Sequence, residues 1–133
     1  MRILVVEDDE ISNMMLMQVL EREHEVFATR EAESADFMLR NQNFDLVLLD
    51  IALPGMNGLE LAQSLKKRDP KYSTPIVAVS GLDGEEIVER AQRSGFSAFI
   101  RKPYTLTSLK DVLSTYCAAT PVLSPIDSFR VYQ

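Results

Sequence analysis

Five residues with chemically active side chains stand where short apolar runs of this sequence end. Glu7 and Asp8 follow ILVV, Asp50 ends LVLLD, Ser80 ends IVAVS, and Lys102 follows AFIR. Continuous apolar runs of this length are typical of strands buried on both faces of a sheet. Open α/β sheets place their chemistry at the carboxyl ends of parallel strands, so these side chains are expected to converge at one edge.

Carboxylates that converge in this way favour a bound cation, because they cannot all stay ionised at close range without raised pKa values or a compensating charge. Hard oxygen ligands favour Mg²⁺, which takes one or two carboxylates together with water and phosphate oxygens. Beside such a metal, Asp50 could attack phosphorus and form an aspartyl phosphate. Lys102 would share the charge on the transferring oxygens, and Ser80 would donate a hydrogen bond to one of them. Taken by itself, Asp50 could instead be a helix N-cap or a turn residue.

Strands and helices are expected to alternate along the chain. The apolar runs predict strands at 1–6, 25–29, 45–49, 75–79 and 97–101. The amphipathic segments predict helices at 10–22, 31–40, 57 or 58 to 67, 84–94 and 105–117. Alternation with helices of about ten residues implies right-handed βαβ crossovers and a parallel sheet covered on both faces. The predicted fold class is therefore α/β, a doubly wound (βα)5 domain with a five-stranded parallel sheet.

Helical spacing also predicts which apolar side chains face the sheet. In the first helix the expected buried face carries Met15, Leu16, Val19 and Leu20, and in the second it carries Ala35, Phe37, Met38 and Leu39. The remaining apolar residues of the first helix, Ile11, Met14 and Met17, then point outward or lie at the edge. Methionine suits an adaptable docking surface, although scattered surface hydrophobes are the alternative.

Composition limits the classes of function. The 133 residues suit one domain, and a net charge of −6 without any run of Lys or Arg argues against nucleic-acid binding by this chain. Cys117 is the only cysteine, which excludes an intrachain disulfide and fits a reducing cytoplasm. The apolar stretch Ile3 to Val6 is too short for a signal peptide or a membrane span, so a soluble protein without a membrane partner is expected.

The motifs VVED, LLDIALPGMNG, AVSG and FIRKP, in this order and spacing over about residues 1–117, resemble the receiver domain of two-component response regulators. The resemblance implies a flavodoxin-like (CheY-like) strand order 2-1-3-4-5. It further implies that Asp50 accepts phosphate from a histidine kinase or a histidine phosphotransfer protein. Asp8 would bind Mg²⁺ or Mn²⁺ directly and Glu7 mainly through water, with the backbone carbonyl of Ala52 as a further ligand.

The resemblance also assigns signalling roles. The Ser80 hydroxyl would move toward the phosphoryl group and the Phe99 ring would turn inward, altering the surface of the fourth helix, fifth strand and fifth helix. An ordinary buried strand residue is the alternative for Phe99. The bond between Lys102 and Pro103 resembles the family's cis peptide. The phosphodonor is expected to dock on five residues, namely Ile11, Met14, Met17, Pro103 and Tyr104.

The sequence also bears on how fast a phosphoryl group at Asp50 would be lost. The positions two residues after Asp50 and Ser80 are Ala52 and Leu82, neither of which can orient an attacking water, so slow to moderate self-dephosphorylation is expected. The chain is not expected to be an enzyme beyond catalysing its own phosphorylation and dephosphorylation. Its downstream protein target is unknown, and it would be a monomer or a phosphorylation-dependent dimer.

The sequence lacks the motifs expected of two other classes of protein. A haloacid dehalogenase-type phosphohydrolase needs an Asp where this chain has Ala52, and a nucleotide or flavin module would be expected to carry GxxxxGK[ST] or GxGxxG, both absent. Residues 118–133 are expected to be a tail or linker rather than a domain, yet their apolar content suits packing on the domain or on another copy. The chain would be a stand-alone regulator or a receiver cut from a hybrid kinase or larger regulator.

Overall fold

The computed structural model describes residues 1–82, 84–117 and 129–132. Strands and helices alternate through the described residues, as the apolar runs and amphipathic segments predict. In chain order they are β1 Arg2–Val6, α1 Glu10–Leu20, β2 Glu25–Thr29, α2 Ala32–Asn41, β3 Leu46–Asp50, α3 Gly58–Arg68, β4 Ile76–Ser80, α4 Glu85–Arg93, β5 Ala98–Arg101, α5 Leu106–Cys117 and β6 Arg130–Tyr132. None of the helices in the described part of the chain is long and apolar enough to cross a membrane.

All pairings in the sheet are parallel, and the strand order is β2-β1-β3-β4-β5-β6. The α/β class and the order 2-1-3-4-5 are therefore confirmed. The five predicted strands are joined by a sixth, because residues 130–132 of the expected tail pair with the edge of β5. Tyr and Val suit a strand, and the edge of β5 offers unpaired backbone groups. The expectation for residues 118–128 and 133 lies outside the described residues.

Helices cover both faces of the sheet, which splits the core into two clusters. Leu4, Val6 and Phe99 belong to the cluster shared with α2, α3 and α4. Ile3 and Val5 belong to the cluster shared with α1 and α5. Every residue of β3 and β4 is buried, so these two central strands have no solvent-facing side.

Two side chains predicted to be buried are exposed. Met15 is 59% exposed because α1 rests on the sheet through a narrower stripe, with Leu16 and Leu20 buried. Phe37 is 68% exposed. It lies two residues, roughly 200° around the helix, from the buried Ala35, and so faces away from the sheet.

Candidate functional site

Three carboxylates meet at the carboxyl ends of β1 and β3. One oxygen from each of Glu7, Asp8 and Asp50 lies within 4.8 Å of the other two. The register places Val6 beside Leu49, so the next residue of each parallel strand, Glu7 and Asp50, emerges at the same edge. Glu7 and Asp50 are buried, whereas Asp8 is half-buried and meets the solvent side.

The ammonium group of Lys102 lies against two of these carboxylates. Its Nζ is 2.9 and 3.1 Å from the two Glu7 oxygens and 3.1 Å from Oδ2 of Asp50. The backbone N–H of Lys102 donates to the carbonyl of Ser80 at 2.9 Å, and the Lys102-Pro103 peptide bond is cis. The ammonium therefore supplies the positive charge that these buried carboxylates need.

The pKa of one carboxyl group in the cluster, that of Glu7, lies close to neutral pH. Burial raises the pKa of Glu7 to about 7, the nearby charge of Asp50 acts in the same direction, and hydrogen bonding from Lys102 opposes both. For Lys102, burial acts to lower the pKa, but the hydrogen bond to Glu7 and the charge of Asp50 outweigh it, so the pKa is raised. Lys102 therefore stays charged, while Glu7 exchanges its proton near pH 7.

Backbone groups orient the Asp50 carboxylate and the Ser80 hydroxyl. The N–H of Ala52 donates to Oδ1 of Asp50 at 2.9 Å, and the N–H of Leu82 donates to the hydroxyl oxygen of Ser80 at 3.0 Å. Ser80 is fully buried, one residue beyond the position in β4 that pairs with Asp50. These bonds fix both side chains at neighbouring strand ends.

The turn after β3 packs tightly against Asp50. A Cβ at Gly58 would lie 2.5 Å from the Asp50 carbonyl oxygen, closer than any side chain can approach. Glycine is therefore required where α3 begins, and the Gly58 N–H donates to the carbonyl of Ile51 at 2.9 Å. Asn57 caps the same helix by accepting from the N–H of Glu60 at 2.9 Å.

The donor set fits a hard divalent cation. Carboxylate oxygens are the ligands that Mg²⁺ and similar ions prefer, and the three acidic groups are close enough for one ion. The cluster already holds a positive group, the Lys102 ammonium, beside Glu7 and Asp50. Glu7, Asp8 and Asp50 therefore form an acidic cluster that could bind a metal.

Two residues that support this cluster were not predicted. Arg30 donates from Nε and Nη2 to the backbone carbonyl of Asp8, at 3.3 and 3.2 Å. Asn13 donates from its side-chain amide to the carbonyl of Glu7 at 3.1 Å. Both bonds end on backbone carbonyls, which no pattern of residue types reveals. The nearest sequence signal is that Arg30 directly follows a predicted strand.

The residues assigned to switching and docking are placed as follows. Phe99 is fully buried in β5, and the Arg101 guanidinium lies 5.8 Å from its ring centre. On α1, Ile11 and Met14 are 70% and 57% exposed. Pro103 is exposed, whereas Met17 and Tyr104 are half-buried. A groove of about 310 Å³ beside α1 is lined by Glu10, Asn13, Met14, Met17, Gln18 and Arg30.

Comparisons with known proteins agree with this geometry. Residues 3–114 match the response regulator receiver domain family. The polar-differentiation response regulator DivK of Brucella anthropi is 30% identical over 86% of this chain and 94% of its own length. The sensory/regulatory protein RpfC of Xanthomonas campestris pv. campestris is 31% identical over 93% of this chain, which spans only 18% of RpfC.

A solved structure shares both fold and sequence with the chain. The CheY-like response regulator receiver domain protein of Methanospirillum hungatei is 31% identical, with a TM-score of 0.77 over 85% of this chain and 90% of its own. The family model matches residues 3–114, and the chain covers 94% of the length of the response regulator DivK. The chain is therefore a phosphoacceptor signalling domain of two-component systems. The chain belongs to the response regulator receiver domain family.

Proposed function

We propose that Asp50 is the phosphoacceptor and that the phosphoryl group comes from the phosphohistidine of a kinase or a phosphotransfer protein. The observation that carries this proposal is the cluster of Glu7, Asp8 and Asp50 with the Lys102 ammonium at the carboxyl edge of the sheet. A buried carboxylate held beside a fixed cation is preorganised for transfer of an anionic group.

In the proposed reaction a carboxylate oxygen of Asp50 attacks phosphorus and forms an O–P bond. The N–P bond to the donor histidine breaks, and the imidazole leaves with its electron pair and takes up a proton. Lys102 is within reach of Asp50 and would exchange its contact with Oδ2 for a phosphoryl oxygen. Ser80 would donate its hydroxyl to a second oxygen, and the phosphoryl group adds about 1.5 to 2 negative charges.

We assign the metal site to Asp8 and Asp50, with Glu7 acting mainly through water and the Ala52 carbonyl as a further ligand. Mg²⁺, or Mn²⁺ in its place, would neutralise charge on the phosphoryl oxygens when it is bound. Asp8 suits a direct ligand because its side chain is the most solvent-accessible of the three. The Arg30 bonds to the Asp8 carbonyl hold that residue's backbone in place.

Output is proposed to run through the face formed by α4, β5 and α5. Ser80 and Phe99 lie on the adjacent strands β4 and β5, where Ala78 is the register partner of Phe99. A movement of the Ser80 hydroxyl toward a phosphoryl group would leave space on the α4 side of the sheet. Phe99, which belongs to the cluster packed under α4, could then change position.

The relatives support a phosphorelay setting. RpfC is named a sensory/regulatory protein and DivK a response regulator, and the chain spans a small part of the first and nearly all of the second. We infer a signalling domain without enzymatic turnover, acting in the cytoplasm with a histidine kinase or phosphotransfer protein. The phosphodonor would dock on Ile11, Met14 and Met17 of α1, of which the two methionines line the groove, and on Pro103 and Tyr104.

Intact mass spectrometry after incubation with acetyl phosphate tests the proposed function. One phosphoryl adduct is expected with Mg²⁺, none after chelation, and none on the Asp50→Ala variant. The Asp45→Ala variant is the matched control, because Asp45 lies at the other end of β3, where it accepts from the Arg2 N–H. An adduct that persists in Asp50→Ala would refute the assignment.

The persistence of the adduct tests two further points. With Ala52 and Leu82 flanking the site, the adduct should decay slowly to moderately in the absence of any phosphatase. A lifetime of seconds would contradict that expectation. Continuous release of phosphate from a generic phosphate ester would favour a phosphohydrolase instead.

A further inference from the structure

The strand β6 covers the backbone edge of β5. The two strands run parallel, with Ala98, Phe99 and Ile100 as register partners of Arg130, Val131 and Tyr132 respectively. Without β6, the N–H and C=O groups along this side of β5 would be unpaired and available to another strand. The chain therefore fills, with its own residues, the middle of the face to which we assign output.

Side chains flanking β6 reach both layers of the core. Phe129 packs against the cluster that includes Ile87 and Ala91 of α4. Tyr132 packs against the cluster on the α5 side, and its hydroxyl lies 3.2 Å from the Thr115 hydroxyl of α5. Residues 129–132, here called the strap, thus contact the core on both sides of β5.

The strap is held weakly compared with the strand beneath it. It contributes a strand of only three residues, in which Arg130 and Val131 are exposed and Tyr132 is half-buried. The side chains of Ala98 and Phe99 in β5 are fully buried. A short edge strand with little buried surface opens at a much lower free energy than a central strand does.

The same short strand connects the strap to the acidic cluster. β5 pairs with the strap through Phe99 and Ile100, and with β4 through Arg101, the register partner of Ser80. The next residue, Lys102, holds Glu7 and Asp50. A shift of β5 that moves Lys102 or Phe99 would therefore alter the surface on which the strap lies.

We propose that the strap occupies the β5 edge in the unphosphorylated protein and is released when Asp50 is phosphorylated. Its release would open the face of α4, β5 and α5 to a partner. The proposal rests on the proposed function, because it requires a phosphoryl group at Asp50. Coupling between two such equilibria is reciprocal, so loosening the strap must also favour the phosphorylated arrangement.

Hydrogen exchange on the full chain tests release directly. Amide protection at residues 130–132 is measured with Mg²⁺ alone and with Mg²⁺ plus beryllofluoride, a tetrahedral mimic of the phosphoryl group. Protection should fall about fivefold or more in the wild-type chain, a typical size for coupling between sites. It should not change in Asp50→Ala. Unchanged protection in the wild type with beryllofluoride bound would overturn the proposal.

The reciprocal measurement is the affinity for beryllofluoride in the presence of Mg²⁺. The double variant Phe129→Ala with Tyr132→Ala removes both anchors of the strap and should bind beryllofluoride several-fold more tightly than the wild type. The gain in affinity cannot exceed the factor by which bound beryllofluoride favours release of the strap. Arg130→Ala, an exposed position on the same strand, is the matched control and should bind like the wild type. If the double variant and the wild type bind beryllofluoride with equal affinity, the proposed coupling of the strap to Asp50 is wrong.

The two proposals fail in different ways. If neither acetyl phosphate nor beryllofluoride modifies or binds the wild-type chain, the proposed function fails and the strap's coupling fails with it. If the phosphoryl adduct forms on Asp50 while the strap keeps its full amide protection, the proposed function stands and only the strap is refuted.

Discussion

Glu7 gives the stability of this protein a pH dependence of unusual sign for a carboxylate. Its pKa is raised from 4.5 to about 7 by burial, so the folded state holds a proton that the unfolded state has released. Between these two values the folded state binds more protons, and stability falls as the pH rises. The contribution is on the order of 3 kcal/mol, present in full below pH 4.5 and lost above about 7.

Denaturant unfolding of the metal-free chain from pH 4.5 to 8 checks this prediction. As the pH rises, the unfolding free energy of the wild type should fall relative to that of Glu7→Gln, because the variant lacks the titrating group. Glu23→Gln, at an exposed position, is the control and should follow the wild type. Parallel curves for the wild type and Glu7→Gln would contradict the raised pKa.

The Lys102 ammonium balances the charge of two carboxylates, Glu7 and Asp50. Lys102→Met removes the ammonium from Glu7 and Asp50 and should destabilise the metal-free chain by about 1–3 kcal/mol, since the lysine side chain is 24% exposed and partly screened. A divalent cation would then meet less competing positive charge. Mg²⁺ should therefore raise the midpoint of thermal unfolding more in the variant than in the wild type.

The exposed Lys67 of α3 provides the control for Lys102. Lys67→Met changes the net charge by the same amount without touching the cluster, so its Mg²⁺ shift should equal that of the wild type. If Lys102→Met also shows the wild-type shift, the ammonium does not compete with the metal for these carboxylates.

The junction of β3 and α3 leaves no space for a side chain at Gly58. Gly58→Ala places a methyl group 2.5 Å from the Asp50 carbonyl oxygen, so the start of α3 must move. The variant should lose about 1–3 kcal/mol of stability and accept phosphate from acetyl phosphate more slowly. Gly81→Ala is the control, because its Cβ would meet Lys102 at an ordinary 3.9 Å. Wild-type stability in Gly58→Ala would show that the turn relaxes freely.

Elements with a strong periodic signal were predictable from the sequence, and those held by tertiary contacts were not. The runs ILVV, LVLLD and IVAVS lie in strands packed on both faces, so burial alone determines their conformation. The exposure of Phe37 and Met15 depends on how each helix rests on the sheet. β6 depends on an edge far away in the sequence, and a three-residue strand has no periodicity to detect.

Across the whole molecule, the proposed reaction site lies at one edge of the sheet, and the proposed partner surfaces lie on α1 and on the face of α4, β5 and α5. The carboxyl edge brings together residues from the ends of β1, β3, β4 and β5, which is why their types and spacing were enough to predict that they converge. Arg30 and Asn13 escaped prediction because they act through backbone carbonyls. Surfaces for partners are less evident in the sequence, since exposed apolar side chains are common on any protein.

Substitutions on α1 can distinguish docking of a protein phosphodonor from the chemistry at Asp50. Ile11 and Met14 are exposed on α1 beside the acidic cluster, where a protein donor must approach to present its histidine. Met14→Glu adds a charge to an apolar docking surface. It should slow phosphoryl transfer by about tenfold or more from a phosphorylated histidine phosphotransfer domain. The domain is chosen because it phosphorylates the wild type. Transfer from acetyl phosphate needs no docking surface and should be unchanged.

Phe37 makes the matched control for Met14, because it is also an exposed apolar residue, at 68% against 57%, and lies on a different helix. Phe37→Glu carries the same added charge and should leave both transfer rates at wild-type values. Equal slowing by Phe37→Glu would mean that net charge, rather than contact at α1, limits the encounter. Unchanged transfer to Met14→Glu would remove α1 from the docking surface, while the chemistry at Asp50 would remain as proposed.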